Sequence, residues 1–141
     1  PALVADMQRL AKCGDVADRD LGPPLRYALD GATLVLLPCS AGAYNLIQAV
    51  FTVRDGRATP AQFDMPTGMA PQPGPVPMVT NGDFADGVLA DFAKGRGLGD
   101  CGVRSQSAWD GRRFRLIEQT QLDDCRGASD YIRTWTARVV R

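Results

Sequence analysis

The sequence predicts a mainly β protein built from antiparallel hairpins, with a short N-terminal helix and two disulfides. Three observations carry that expectation. Four Asp-Gly dipeptides, at 30–31, 55–56, 86–87 and 110–111, each stand between apolar or β-branched segments, which is the signal of a two-residue hairpin turn. Glu118 is the only glutamate among sixteen acidic residues; aspartate competes with the helical backbone and favours turns and caps. The four cysteines, Cys13, Cys39, Cys101 and Cys125, are widely spaced and form no Cys-x-x-Cys pair. That arrangement suits disulfides better than a zinc ribbon or a thioredoxin-type centre.

The elements follow in order. Met7, Leu10 and Ala11 fall at i, i+3 and i+4, so residues 6–12 read as a short amphipathic helix ended by Cys13-Gly14. Residues 15–25 are polar and contain Gly22-Pro23-Pro24, a loop. Strands over 25–29 and 33–37 flank the first Asp-Gly, and the second of them is the most hydrophobic run. Residues 38–43 read as a turn or a very short helix. Strands over 47–53 and 58–63 flank the second Asp-Gly. Residues 85–92 hold either a third hairpin or a helix, since Phe84, Val88, Leu89 and Phe92 also fit helical spacing. Strands over 104–109 and 114–119 flank the fourth, and residues 132–140 alternate as a closing strand. The Asp-Gly spacings of 25, 31 and 24 leave a sandwich, a barrel or a propeller-like array open. Five prolines between Met65 and Met78 predict an exposed, extended connector.

At 141 residues the chain is expected to be one β-rich domain over 1–141. Sixteen basic residues balance sixteen acidic ones, which argues against nucleic acid as a partner. The absence of histidine excludes Ser-His-Asp and Cys-His catalysis and histidine-ligated zinc. No apolar run reaches the ~18 residues of a membrane span. No catalytic residue, metal or cofactor is expected. Two disulfides imply periplasm or secretion. Cys13–Cys39 with Cys101–Cys125 is the nearest-neighbour pairing, but four cysteines allow three connectivities.

Several segments are weighed as sites. Lys94-Gly95-Arg96-Gly97-Leu98-Gly99-Asp100-Cys101-Gly102 is rich in glycine and offers an anion-cradling nest or a tight corner before a disulfide. It matches neither phosphate-binding glycine motif. Ser40 has no base nearby in sequence to activate it. Tyr44 and Asn45 read as a hydrogen-bonded turn or part of a contact surface. Asn81, Asp83 and Asp86 loosely resemble a calcium loop but lack its register and its glutamate. Trp109 stands beside Arg112, Arg113 and Arg115, and Arg133, Arg138 and Arg141 follow on the last strand. If those strands pair, one face gains an arginine and aromatic patch suited to an acidic surface or an anionic polymer.

Three segments together resemble a known family. They are Leu34-Val35-Leu36-Leu37-Pro38-Cys39 leading to Gly42-Ala43-Tyr44-Asn45, then Lys94 to Gly102, then Trp109-Asp110-Gly111 with Phe114 and Leu116 leading to Cys125-Arg126-Gly127. Their order resembles an uncharacterised family of exported proteobacterial proteins, domain of unknown function 1176, from about Leu34 to the last strand. The resemblance implies disulfides, a periplasmic location and a place in the C-terminal part of a longer exported protein. It implies no activity.

The expected function is a non-enzymatic binding module of the periplasm whose partner is another envelope protein, as an inhibitor of, or immunity protein against, a cell-wall hydrolase. Its expected contacts are Tyr44, Asn45, Arg96, Asp100, Trp109, Arg112 and Arg113. The alternatives are a carbohydrate- or anion-binding envelope module and a carboxylate-dependent hydrolase.

Overall fold

Residues 34–39 are buried without a break, because both faces of their strand are covered. The computed structural model describes residues 2–14, 20–64 and 74–140. Helix α1 (Ala2–Ala11) precedes β1 (Leu25–Leu29), β2 (Ala32–Ala41), β3 (Leu46–Arg54), β4 (Arg57–Pro60) and β5 (Met78–Thr80). These strands form the first sheet, in the order β1-β2-β3-β4, with β5 pairing β3 beyond the end of β4. The second sheet contains β6 (Asp83–Ala85), β7 (Val88–Lys94), β8 (Gly102–Trp109), β9 (Phe114–Leu122) and β10 (Ile132–Thr136), in the order β10-β9-β8-β7-β6. Every pairing between named strands is antiparallel. The result is two packed sheets rather than a propeller-like array.

Strand alternation distributes β2 between two cores. Val35, Leu37 and Cys39 face α1, where they pack with Met7, Ala11, Ala49, Phe51 and Val76. Leu34 and Leu36 face the second sheet and pack with Val50, Val79, Leu89 and Phe114. The layers are therefore helix, first sheet, second sheet. Truncating a fully buried ring such as Phe51 or Phe114 costs about 3–5 kcal/mol at such positions.

Short cross-links join the sheets. The Tyr27 hydroxyl on β1 donates to Asp83 Oδ1 on β6 at 3.0 Å. Residues after β4 run beside the start of β9, where Phe114 N–H donates to the Gln62 carbonyl and Asp64 N–H to the Phe114 carbonyl. Cys13–Cys39 fastens the end of α1 to β2, and Cys101–Cys125 fastens the start of β8 to the β9–β10 connection. Each closes a loop of similar length, with separations of 26 and 24 residues. In chain-entropy terms each stabilises by about 3.5 kcal/mol.

All four Asp-Gly turns are hairpins, and their glycines have φ of 65, 74, 78 and 94°. Residues 83–94 form a hairpin, not a helix: Asp86 and Gly87 both have positive φ, as that turn type requires. Three expectations are corrected. Residues 38–41 continue β2, and the proline at 38 fits because the β2–β3 register shifts between Pro38 and Ser40. Residues 137–140 lie beyond β10, whose pairing with β9 slips between Arg133 and Trp135. The end of the proline-rich segment is not an exposed connector: Val76 is buried in the helix-side core, and the Pro77 carbonyl accepts from Val50 N–H. The remainder of that segment, residues 65–73, lies outside the described residues, as do 15–19 in the polar loop.

Candidate functional site

The expected contact residues separate into two groups at opposite ends of β8. Tyr44, Asn45, Arg96 and Asp100 gather near its start at Gly102. Trp109, Arg112 and Arg113 gather at its other end. Seven residue steps of ~3.3 Å put these ends about 23 Å apart, so they form no single surface patch.

At the first end, the β2–β3 turn grips the loop that leaves β7. The Tyr44 hydroxyl donates to the Gly95 carbonyl at 2.9 Å. Asn45 Nδ2 donates to the Lys94 carbonyl at 2.9 Å, and Lys94 N–H donates back to Asn45 Oδ1 at 3.1 Å. Asn81, between β5 and β6, completes the junction: its Nδ2 donates to Asn45 Oδ1 and to the Phe92 carbonyl, each at 2.9 Å. Its Oδ1 accepts from Leu46 N–H at 3.0 Å. Asn81 has φ of 49°, a conformation that asparagine tolerates better than most residues.

The loop is also closed from within. Arg96 Nε donates to Asp100 Oδ1 at 2.7 Å and its Nη2 to Oδ2, a bidentate pair. Gly127 N–H donates to Asp100 Oδ2 at 2.6 Å. The Arg96 guanidinium and then the Gly127 N–H hold the Asp100 carboxyl well below the usual carboxylate range. Gly95 N–H donates to the Cys101 carbonyl and Gly99 N–H to the Arg96 carbonyl. The Tyr131 hydroxyl donates to the Gly99 carbonyl at 2.8 Å. The Phe92 and Tyr131 rings meet edge to face, and the Arg104 guanidinium lies over both, 4.3 Å from each centroid, bracing that tyrosine.

Two glycines are required here by space. A Cβ on Gly95 would stand 2.6 Å from Cys101 Sγ. Gly102 has φ of 132°, and a Cβ there would run into the Ala93 carbonyl. The anion-nest reading loses two of its donors, because the Gly95 and Gly99 N–H groups already bond within the loop. The large apolar side chain that the loop leaves to solvent is Leu98, 81% exposed, and Tyr44 of the adjoining turn is 40% exposed.

At the second end, Asp110 organises the β8–β9 turn. Its Oδ1 accepts from Arg112 N–H at 2.9 Å and Arg113 N–H at 2.8 Å, and its Oδ2 from Arg115 Nε at 2.7 Å. The Arg113 N–H and then Arg115 hold its carboxyl well below the usual range. Trp109 packs on Phe114 with centroids 5.0 Å apart. Trp109 Nε1 and Arg113 Nε are buried without a partner among the described residues. β9 and β10 do pair, but Arg133 faces Glu118 at 3.4 Å, and Arg141 lies outside the described residues. Two members of the expected arginine patch, Arg115 and Arg133, are thus held by separate ion pairs with Asp110 and Glu118.

A groove of about 1180 Å³ opens beside this turn, lined by Trp109, Trp135, Asp30, Asp86, Arg115 and Arg138 among others. Asp91 is elsewhere, 6% exposed between the sheets. Burial raises its carboxyl to about 6, and Ser105 opposite it offsets part of that rise. Asp91 Oδ1 and Ser105 Oγ nonetheless make no well-formed hydrogen bond. The raised carboxyl does not line the groove, which has carboxylates of its own. Among the described residues no three acidic or cysteine side chains gather to hold a metal, and Asp83, of the loosely calcium-like set, accepts the Tyr27 hydroxyl.

Sequence reasoning passed over Asn81, Leu98, Tyr131 and Trp135 as contacts. Asn81-Gly82 is itself a turn signal, and Leu98 is the one large apolar residue in the glycine-rich segment.

Residues 5–139 match the family described as Protein of unknown function (DUF1176). The match begins within α1, well before Leu34. An uncharacterized protein of Escherichia coli (strain K12), YpfG, is 28% identical over 116 residues, covering 77% of this chain and 33% of that protein. The chain thus spans about a third of the length of this curated relative. No solved structure matches.

Proposed function

The chain belongs to the DUF1176 family of proteins of unknown function, and we propose that it is a non-enzymatic binding module of the periplasm or cell exterior. Its partner is another protein of the envelope, and its action is inhibition of, or immunity to, a cell-wall hydrolase. One observation carries this reading: the loop 95–101 is fixed by the Cys101–Cys125 disulfide, the Arg96–Asp100 pair and two tyrosine hydroxyls, yet displays Leu98 81% exposed.

An exposed leucine on a mobile loop would lose rotamer and backbone freedom on binding. A fixed loop has lost that freedom during folding, so more of the contact energy appears as affinity. The apolar tip would enter a partner's pocket with Tyr44 alongside, and tyrosine is among the residue types enriched at interface anchors. The two disulfides support an oxidising compartment. We read the chain as one portion of a longer exported protein, so the whole protein's partners extend to surfaces not contained in it.

The test is inhibition of purified muramidase, amidase and endopeptidase activities on dye-labelled peptidoglycan. The reading requires stoichiometric inhibition of one class by the oxidised protein, lost in Leu98→Asp. If no class responds to a tenfold molar excess, the hydrolase-inhibitor reading fails.

A further inference from the structure

We propose that the groove at the far end of the second sheet is a binding site for a neutral glycan chain, separate from the protein-recognition loop. The protein's two tryptophans, Trp109 at the end of β8 and Trp135 on β10, both line it. They are 26 residues apart in sequence and come to line one groove because β9 pairs with both strands. Trp135 is 45% exposed, and its Nε1 donates to the Leu116 carbonyl at 3.2 Å. That bond fixes the indole while leaving ring surface to solvent. A fixed aromatic face in a groove suits the apolar C–H face of a pyranose, since ordering it costs little on binding.

The polar groups fit the same ligand. Asp30 comes from the β1–β2 turn of the first sheet, and Asp86 from the β6–β7 turn of the second. Neither carboxylate has a side-chain partner among the described residues, in contrast to Asp64, which accepts from Leu116 N–H, and Asp110, which pairs Arg115. Unengaged carboxylates beside an aromatic face are acceptors for sugar hydroxyls. Arg138, which has no ion pair among the described residues, supplies donors. Three Asp-Gly turns, at 30, 86 and 110, thus converge on one groove from two sheets.

Charge and size narrow the class. Asp30, Asp64, Asp86 and Asp110 outnumber Arg115 and Arg138 in the lining, which opposes a polyanion. Arg115 and Arg138 stand in the path of a strongly basic peptide. The volume of about 1180 Å³ exceeds the ~300–1,000 Å³ of most small-ligand pockets, so an oligosaccharide fits better than a single sugar.

Because both tryptophans line the groove, intrinsic fluorescence reports on it directly. The oxidised protein is titrated with chitohexaose, cellohexaose and maltohexaose, and binding is repeated by calorimetry. The expected result is a saturable change with at least one hexasaccharide, retained in 0.5 M NaCl. Affinity falls tenfold or more in Trp135→Ala. Asp86→Asn weakens binding several-fold; asparagine tolerates the Asp86 φ of 51°, so this variant serves even if Trp135→Ala fails to fold. Leu98→Asp binds the sugar unchanged, which separates this site from the recognition loop. No saturable response to any hexasaccharide at millimolar concentration overturns the proposal. Salt-sensitive binding of hexalysine in place of the sugars overturns it in favour of a basic peptide.

Discussion

Asn45 and Asn81, one from the β2–β3 turn and one from the β5–β6 connection, share a hydrogen bond of 2.9 Å between their amides where the two sheets meet. Around that bond the pair also satisfies backbone groups of Leu46, Phe92 and Lys94. The junction sets where β7 ends and hence where the Leu98 loop begins.

Removing the Asn45 amide leaves the Lys94 N–H and carbonyl and the Asn81 Nδ2 short of partners. A half-buried polar group left without a partner costs about 1–3 kcal/mol. Asn45→Ala is expected to lose about 2–4 kcal/mol in urea unfolding. Tyr44→Phe, which removes one hydrogen bond at an exposed site, is expected to lose less than about 1 kcal/mol.

Asp91 gives the protein an unusual pH profile. Its folded carboxyl titrates at about 6 against an ordinary 3.8. Between those values the folded chain holds a proton that the unfolded chain has released. Stability therefore falls as pH rises from about 4 to about 6 and levels off above that. The full change is about 3 kcal/mol at ~1.4 kcal/mol per pKa unit. Asp100 and Asp110 act in the opposite sense, because their folded carboxyls lie below the ordinary value. Their contribution is present above about pH 4 and is lost as pH falls through their folded values. Denaturation between pH 4 and 8 is expected to show the falling limb in the native chain and none in Asp91→Asn.

Gly102→Ala brings a methyl group against the Ala93 carbonyl at a φ of 132°. Both the strain and the backbone clash must be relieved by moving β7 or β8. The expected loss exceeds about 3 kcal/mol. Gly14→Ala, with nothing within 4 Å of the added carbon, is expected to change stability by less than about 0.5 kcal/mol. Thermal unfolding of the two variants side by side checks the contrast.

The hairpins were legible because their signal is local. An Asp-Gly pair needs only its own backbone to favour positive φ, and all four glycines adopt it. Pro38 misled for the same reason: a proline read locally suggests a turn, whereas the β2–β3 bulge that accommodates it depends on both strands. β5 has three residues, too few to show alternation. The site was half legible. Tyr44, Asn45, Arg96 and Asp100 stood out by residue type and loop chemistry, but Asn81 joins them only through contacts 36 residues apart in sequence. Trp135 enters the groove through strand pairing that no local pattern encodes. Arg112 and Arg113 stood out by charge alone, and the turn uses their N–H groups to bind Asp110.

Double replacement of Cys101 and Cys125 by serine removes a closure worth about 2–4 kcal/mol. It also releases the C-terminal end of the Leu98 loop, because Cys101 directly follows the Arg96–Asp100 pair. Binding to a protein partner is expected to fall more than tenfold even under conditions where the variant remains folded. Circular dichroism and surface plasmon resonance on the same sample separate the two effects.

The most direct test of the recognition loop is capture from envelope extract by four immobilised baits: native chain, Leu98→Asp, Trp135→Ala, and native chain reduced and alkylated. The account predicts one stoichiometric protein partner held by the native chain and by Trp135→Ala, and absent from Leu98→Asp and the reduced chain. The same captured proteins on native chain and Leu98→Asp, or none on either, would contradict it.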